Sequence, residues 1–85
     1  MSMFELDLHG IKHIIARQLL EKTINRLWGT NQDLHIITGH SNDMKKIVID
    51  LLTEYKLEYT IGDFSGQNTG FIRTYLDWKE LYAIY

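Results

Sequence analysis

Asp7 and His9 have the types and the spacing for proton transfer. They stand in Leu6-Asp7-Leu8-His9-Gly10. Side chains of a strand alternate between its faces, so Asp7 and His9 point one way and Leu6 and Leu8 the other. The leucines can then be buried while the acid and the imidazole stay open at the strand end. An imidazole titrates near working pH, which makes His9 the better base or acid. Asp7 would orient it, favour its protonated form, or take the first proton itself. Beside a glycine turn and a helix N-terminus, which favours an anion, such a pair suits acid–base work on a phosphate ester. The bland reading of the same residues is an Asp7 that caps the coming turn and a His9 that is merely exposed.

A second stretch, Ile36-Ile37-Thr38-Gly39-His40-Ser41, repeats the layout of apolar strand, glycine turn and helix. Free N–H groups at that helix start would favour a phosphate, with Thr38, Gly39, His40 and Ser41 around it. Lys45 and Lys46 follow in the first turn, where positive charge opposes the helix dipole. A phosphate in the turn would explain them; two solvated lysines opposite an apolar stripe would equally do so. Ser41 either bonds a phosphate or caps the helix. His40 reads as a second acid–base group, a phosphate contact, or a loop histidine without a role. Next to the first turn, Gly10, Lys12, His13 and Arg17 could track a nucleic-acid backbone. His9 and His13 have the i, i+4 spacing of a metal pair, but His9 belongs on the strand, so no metal or other cofactor is expected.

Four strands and two helices must position these groups. Met3 to Leu8 reads as a strand, with Phe4, Leu6 and Leu8 on one face. Ile11 to about Trp28 reads as a helix with a stripe of Ala16, Leu19, Leu20, Thr23, Ile24 and Leu27. Ile14 and Ile15 fall off that stripe. Asp33 to Thr38 is a strand. The helix that follows runs to about Tyr55, with Met44, Ile47, Val48, Leu51, Leu52 and Tyr55 at helical spacing. Leu57 to Ile61 alternates as a strand, and Gly62 to Asn68 is a loop. In Thr69 to Leu76, Ile72, Thr74 and Leu76 oppose Phe71, Arg73 and Tyr75. Asp77 to Tyr85 reads as a short closing helix or as a tail lying on the sheet.

The order β-α-β-α-β-β, with right-handed crossovers, predicts a two-layer α/β sandwich. The first two strands are then parallel, both helices lie on one face, and the other face is open. That face would carry His35, Ile37, Phe71, Arg73 and Tyr75 beside Asp7 and His9. Aromatics interleaved with arginine stack unpaired bases. The competing reading has Trp78, Leu81, Tyr82 and Tyr85 covering it.

Eighty-five residues amount to one domain, near the lower limit for a core without staples. There is no cysteine, which excludes disulfides and thiolate metal sites. No apolar run is long enough to span a membrane. The N-terminus lacks the pattern of a signal peptide, so a cytoplasmic protein is expected. A net charge of −2 argues against tight non-specific nucleic-acid binding, which shows as a basic excess. A monomer is the default.

Leu6-Asp7-Leu8-His9-Gly10 and Thr38-Gly39-His40-Ser41 together resemble the Smr (small MutS-related) domain. That family carries an LDLHG motif near its start and a TGxG motif some thirty residues later. The first motif is complete here, and Ser41 replaces the last glycine of the second. The resemblance runs from about Glu5 to Leu76 and takes in Ala16 and Thr69-Gly70. It implies a single Smr-like domain over residues 1–85 with a core of about 5–76. It also implies a four-stranded mixed sheet, similar to the C-terminal domain of a translation initiation factor. In Smr domains the first motif is tied to nuclease activity, on RNA in several members and as DNA nicking in others.

RNA supplies its own nucleophile, the 2′-hydroxyl, so a base there and an acid at the leaving 5′-oxygen suffice without metal. The expectation is a metal-independent endonuclease on single-stranded RNA. Asp7 and His9 would be catalytic. Gly10, Lys12, His13, Arg17, Thr38, Gly39, His40, Ser41, Lys45, Lys46 and Arg73 would contact phosphate or nucleic acid. The alternatives are a non-catalytic module that docks nucleic acid or a ribosomal partner, and a DNA-nicking enzyme. The last would have to activate water, usually with a metal, and no ligand set for one is visible.

Overall fold

The computed structural model describes residues 3–30, 32–62 and 69–76. The expected helix or tail at 77–85 and most of the loop at 62–68 lie outside them. The elements are β1 (Met3–Asp7), α1 (His13–Leu27), β2 (Gln32–Ile37), α2 (Asn42–Glu54), β3 (Tyr59–Ile61) and β4 (Phe71–Leu76). The four strands form one mixed sheet in the order β1-β2-β4-β3. β1 and β2 are parallel, and β4 runs antiparallel to both β2 and β3. This is the α/β architecture that the order of elements predicts.

Alternation decides the faces. Leu8, Leu34, Ile36, Ile72 and Leu76 are buried with Ala16, Leu20 and Ile24 of α1 and Met44, Val48, Leu51 and Leu52 of α2. Burying each such aliphatic side chain contributes roughly 1.5–3 kcal/mol, which offsets part of the chain entropy lost on ordering. The two helices lie side by side. Arg17 donates to Glu54 Oε2 at 2.8 Å, and the Trp28 and Tyr55 rings meet edge-on at 5.8 Å. Thr74, a polar residue on the buried face, donates its hydroxyl to the Glu58 carbonyl at 2.7 Å.

Three sequence expectations are corrected. Helix α1 begins at His13 rather than Ile11. The Ile11 N–H bonds back to the Leu8 carbonyl at 3.2 Å, and Lys12 is still extended at φ −58°, ψ 140°. The buried stripe of α1 is also narrower than the spacing suggests: Leu19 is 36% exposed and Thr23 is only partly buried. Thr23 turns its hydroxyl to the Leu19 carbonyl at 2.8 Å. Ile14 and Ile15 are exposed, as their position off the stripe implies.

The third correction concerns β3, which starts at Tyr59 rather than Leu57. Helix α2 ends in a left-handed residue, Lys56 at φ 57°. Lys56 N–H then bonds the Thr53 carbonyl and Leu57 N–H the Leu52 carbonyl, the two bonds of a Schellman cap. Leu57 is buried by that cap, whereas Tyr59 and Ile61 on the edge strand are exposed.

Candidate active site

Strand β1 ends at Asp7, and its pairing with β2 continues one step further, Leu8 N–H to the Ile37 carbonyl at 2.8 Å. Leu8 is fully buried, so the backbone on either side of it is anchored. Asp7 and His9 therefore project together on the side away from the core. His9 Nδ1 lies 2.7 Å from Asp7 Oδ1, and the same oxygen accepts the His9 backbone N–H at 3.1 Å. These two hydrogen bonds, the side-chain one first, hold the Asp7 carboxyl below the usual carboxylate range. Asp7 is thus a charged acceptor. It favours a proton on Nδ1 and leaves Nε2 as the basic atom of the neutral ring.

The second motif packs directly against the first. Gly39 has φ 66°, and a Cβ built on it would lie 3.4 Å from His9 Cβ. That turn is tied to β4 through one carbonyl. Gly70 O accepts Thr38 N–H at 2.9 Å, Gly39 N–H at 3.0 Å and the Thr38 hydroxyl at 3.3 Å. Thr38 is buried and its hydroxyl also reaches the Gly39 carbonyl. The Thr38 and Gly39 amides thus serve the fold. Ser41 caps α2, accepting Met44 N–H on Oγ at 3.1 Å, and Asp43 gives the first turn of α2 its negative charge.

Among the described residues, a groove of about 560 Å³ runs from these motifs across the sheet face opposite the helices. Its lining comprises Glu5, Asp7 and His9 from the β1 arm, His35 and Ile37 from β2, Gly39 and His40 from the turn, and Gly70 and Phe71 at β4. The His35 and Phe71 rings stack with centroids 5.7 Å apart and planes 13° from parallel. Arg73 stands opposite His35 in the register, and Asp33 lies 3.7 Å from its guanidinium. The volume is within the range of sites for small ligands.

The structure brings together Asp7, His9, Gly39 and His40 of the expected site residues. It does not bring the expected cationic set to the groove. Arg17 is held by Glu54 at 2.8 Å and Glu21 at 3.4 Å, so it ties α1 to α2. Lys12 and His13 are exposed at the start of α1, and Gly10 turns beside them at φ 75°. Lys45 and Lys46 lie on α2 outside the groove lining; Thr38 and Ser41, in the turn before that helix, do not line the groove either. Arg73 is on the open face but is partly neutralised by Asp33.

Glu5 and Gly70, which are not among the expected site residues, also line the groove. Glu5 shares its face with Asp7 and His9, and the same two-residue period signals it. Gly70 carries no local signal, because its role depends on the pairing of β4 with β2. No group of three or more metal-ligating side chains converges among the described residues. No helix among them is long and apolar enough to cross a membrane. No protein-family model matches the chain, and no curated protein matches it.

Proposed function

We propose that the protein is an endonuclease that cleaves single-stranded RNA by acid–base catalysis, with the RNA 2′-hydroxyl as nucleophile. The observation that carries this reading is the 2.7 Å contact between His9 Nδ1 and an ionised Asp7, at the edge of an open groove. Asp7 orients the ring and stabilises the imidazolium that forms. His9 Nε2 takes the proton of the 2′-hydroxyl, the 2′-oxygen attacks phosphorus, and the 5′-oxygen leaves. The products are a 2′,3′-cyclic phosphate and a 5′-hydroxyl. The resemblance of the Leu6–Gly10 and Thr38–Ser41 motifs to the Smr domain supports the same reading.

A second reading, a non-catalytic nucleic-acid-binding module, is favoured by one observation. The stacked His35 and Phe71 rings beside Arg73 offer a surface on which an unpaired base can stack.

The deciding measurement is cleavage of a 5′-labelled single-stranded RNA in EDTA by wild type, His9→Ala and Asp7→Ala, with folding followed by circular dichroism. A positioned base contributes about 10²–10⁴-fold in rate. His9→Ala should lose that much and Asp7→Ala somewhat less, with a cyclic phosphate on the wild-type 5′ product. Binding that persists in all three proteins without any cleavage would favour the module.

A further inference from the structure

We infer that His40 is the general acid of this reaction, protonating the 5′-oxygen as it leaves. The inference rests on the endonuclease reading and adds to it a second catalytic group. In-line displacement places the attacking 2′-oxygen and the departing 5′-oxygen on opposite sides of phosphorus. One imidazole fixed by Asp7 on the 2′-oxygen side cannot also reach the leaving oxygen. A second proton donor is needed, and it must line the same groove.

Among the described residues, the groove offers three further titratable side chains: Glu5, His35 and His40. Glu5 lies on β1 opposite His35, two residues before Asp7 and so on the far side of Asp7 from His9. His35 is on the floor of the sheet with its ring stacked on Phe71. His40 is exposed and makes no hydrogen bond or ion pair among the described residues. Its backbone, by contrast, is well placed. The preceding residues Thr38 and Gly39 are fastened to Gly70 O, and Gly39 packs on His9 Cβ. The turn therefore carries His40 on a support fixed by the sheet, in the same groove that His9 lines, with its ring exposed among the described residues. The lysines that could otherwise supply a proton, Lys45 and Lys46, do not line the groove.

The step balances without any co-reactant. His9 Nε2 removes the proton from the 2′-oxygen as the 2′-oxygen–phosphorus bond forms. The phosphorus–5′-oxygen bond breaks, its electron pair stays on the 5′-oxygen, and the His40 imidazolium supplies the proton. His9 ends protonated and His40 neutral, and proton exchange with water restores both.

The test uses two versions of one short single-stranded RNA, an ordinary one and one with sulfur replacing the bridging 5′-oxygen at the cleaved bond. A thiolate leaves without being protonated, so the sulfur substrate needs the base but no acid. His40→Ala should cut the ordinary RNA about 100-fold or more slowly and the sulfur RNA almost as fast as wild type. His9→Ala should be slow on both. His40→Arg, which keeps a cation without a transferable proton, should behave like His40→Ala.

Equal slowing of both substrates by His40→Ala overturns the assignment. So does recovery of ordinary cleavage in His40→Arg, which would make His40 a phosphate contact. Wild type inert on both substrates overturns the endonuclease reading itself, a failure distinct from that of His40.

Discussion

At the residue scale the site turns on which of two neighbours carries charge. Two hydrogen bonds from His9 lower the Asp7 pKa, and ionised Asp7 in turn fixes the imidazole. The sign follows from linkage. A carboxyl whose folded pKa is depressed adds stability above its unfolded pKa and loses it as pH falls through the folded value. Both side chains are more than half exposed, so this is chiefly a matter of orientation. A carboxyl-detected NMR titration should therefore place the Asp7 midpoint below that of an ordinary aspartate. His9→Ala should bring it back towards about 3.9, the value of an unperturbed side chain. A midpoint unmoved by the substitution would mean that the contact is not formed in solution. The neighbouring Gly39 has a related duty: its positive φ disfavours a side chain there, and a Cβ on it would come into contact with His9 Cβ at 3.4 Å.

At the element scale, turns and caps decide where chemistry can be presented. Ser41 stands where the Smr pattern has glycine, and the structure uses it as a helix cap on Met44 N–H. Ser41→Ala should cost about 1 kcal/mol of stability, as loss of a capping hydroxyl does. Urea unfolding followed by circular dichroism measures this, with the slope of the transition unchanged. Because Ser41 does not line the groove, the cleavage rate of the folded variant should stay close to that of wild type. A large loss of activity at full folding would return Ser41 to the phosphate site. The same capping logic separates Leu57 from its strand, since a left-handed Lys56 turns it into the core.

At the scale of the whole molecule, one small core supports both motifs. Ile36 is fully buried in β2, between Leu6 of β1 and Ile72 of β4 in the register. Ile36→Ala should destabilise by roughly 2–5 kcal/mol through lost burial and an unfilled cavity. Domains as a class have only about 5–15 kcal/mol to lose, so a large drop in the urea midpoint is expected. Ile36→Val, with one methyl removed, should lose about 0.5–1.5 kcal/mol and keep the site intact. A change below about 0.5 kcal/mol for the alanine variant would show that the core relaxes around the gap.

The sequence by itself determined the order of elements, the buried face of β1, β2 and β4 and the pairing of Asp7 with His9. Those depend on local periods, two for a strand and 3.6 for a helix, and on glycines at turns, all of which are written in neighbouring residues. It also made the sheet face opposite the helices legible, because Phe71, Arg73 and Tyr75 must oppose Ile72, Thr74 and Leu76. Only the tertiary structure decided which charges belong to the site. Arg17 looks available in sequence but is held by Glu54, thirty-seven residues away, on a helix that only packing brings near. The fixing of the Thr38–Gly39 turn by Gly70 O, and with it the placement of His40 in the groove that His9 lines, likewise requires β4 to pair with β2. Such contacts join residues far apart in the chain, and local spacing carries no record of them.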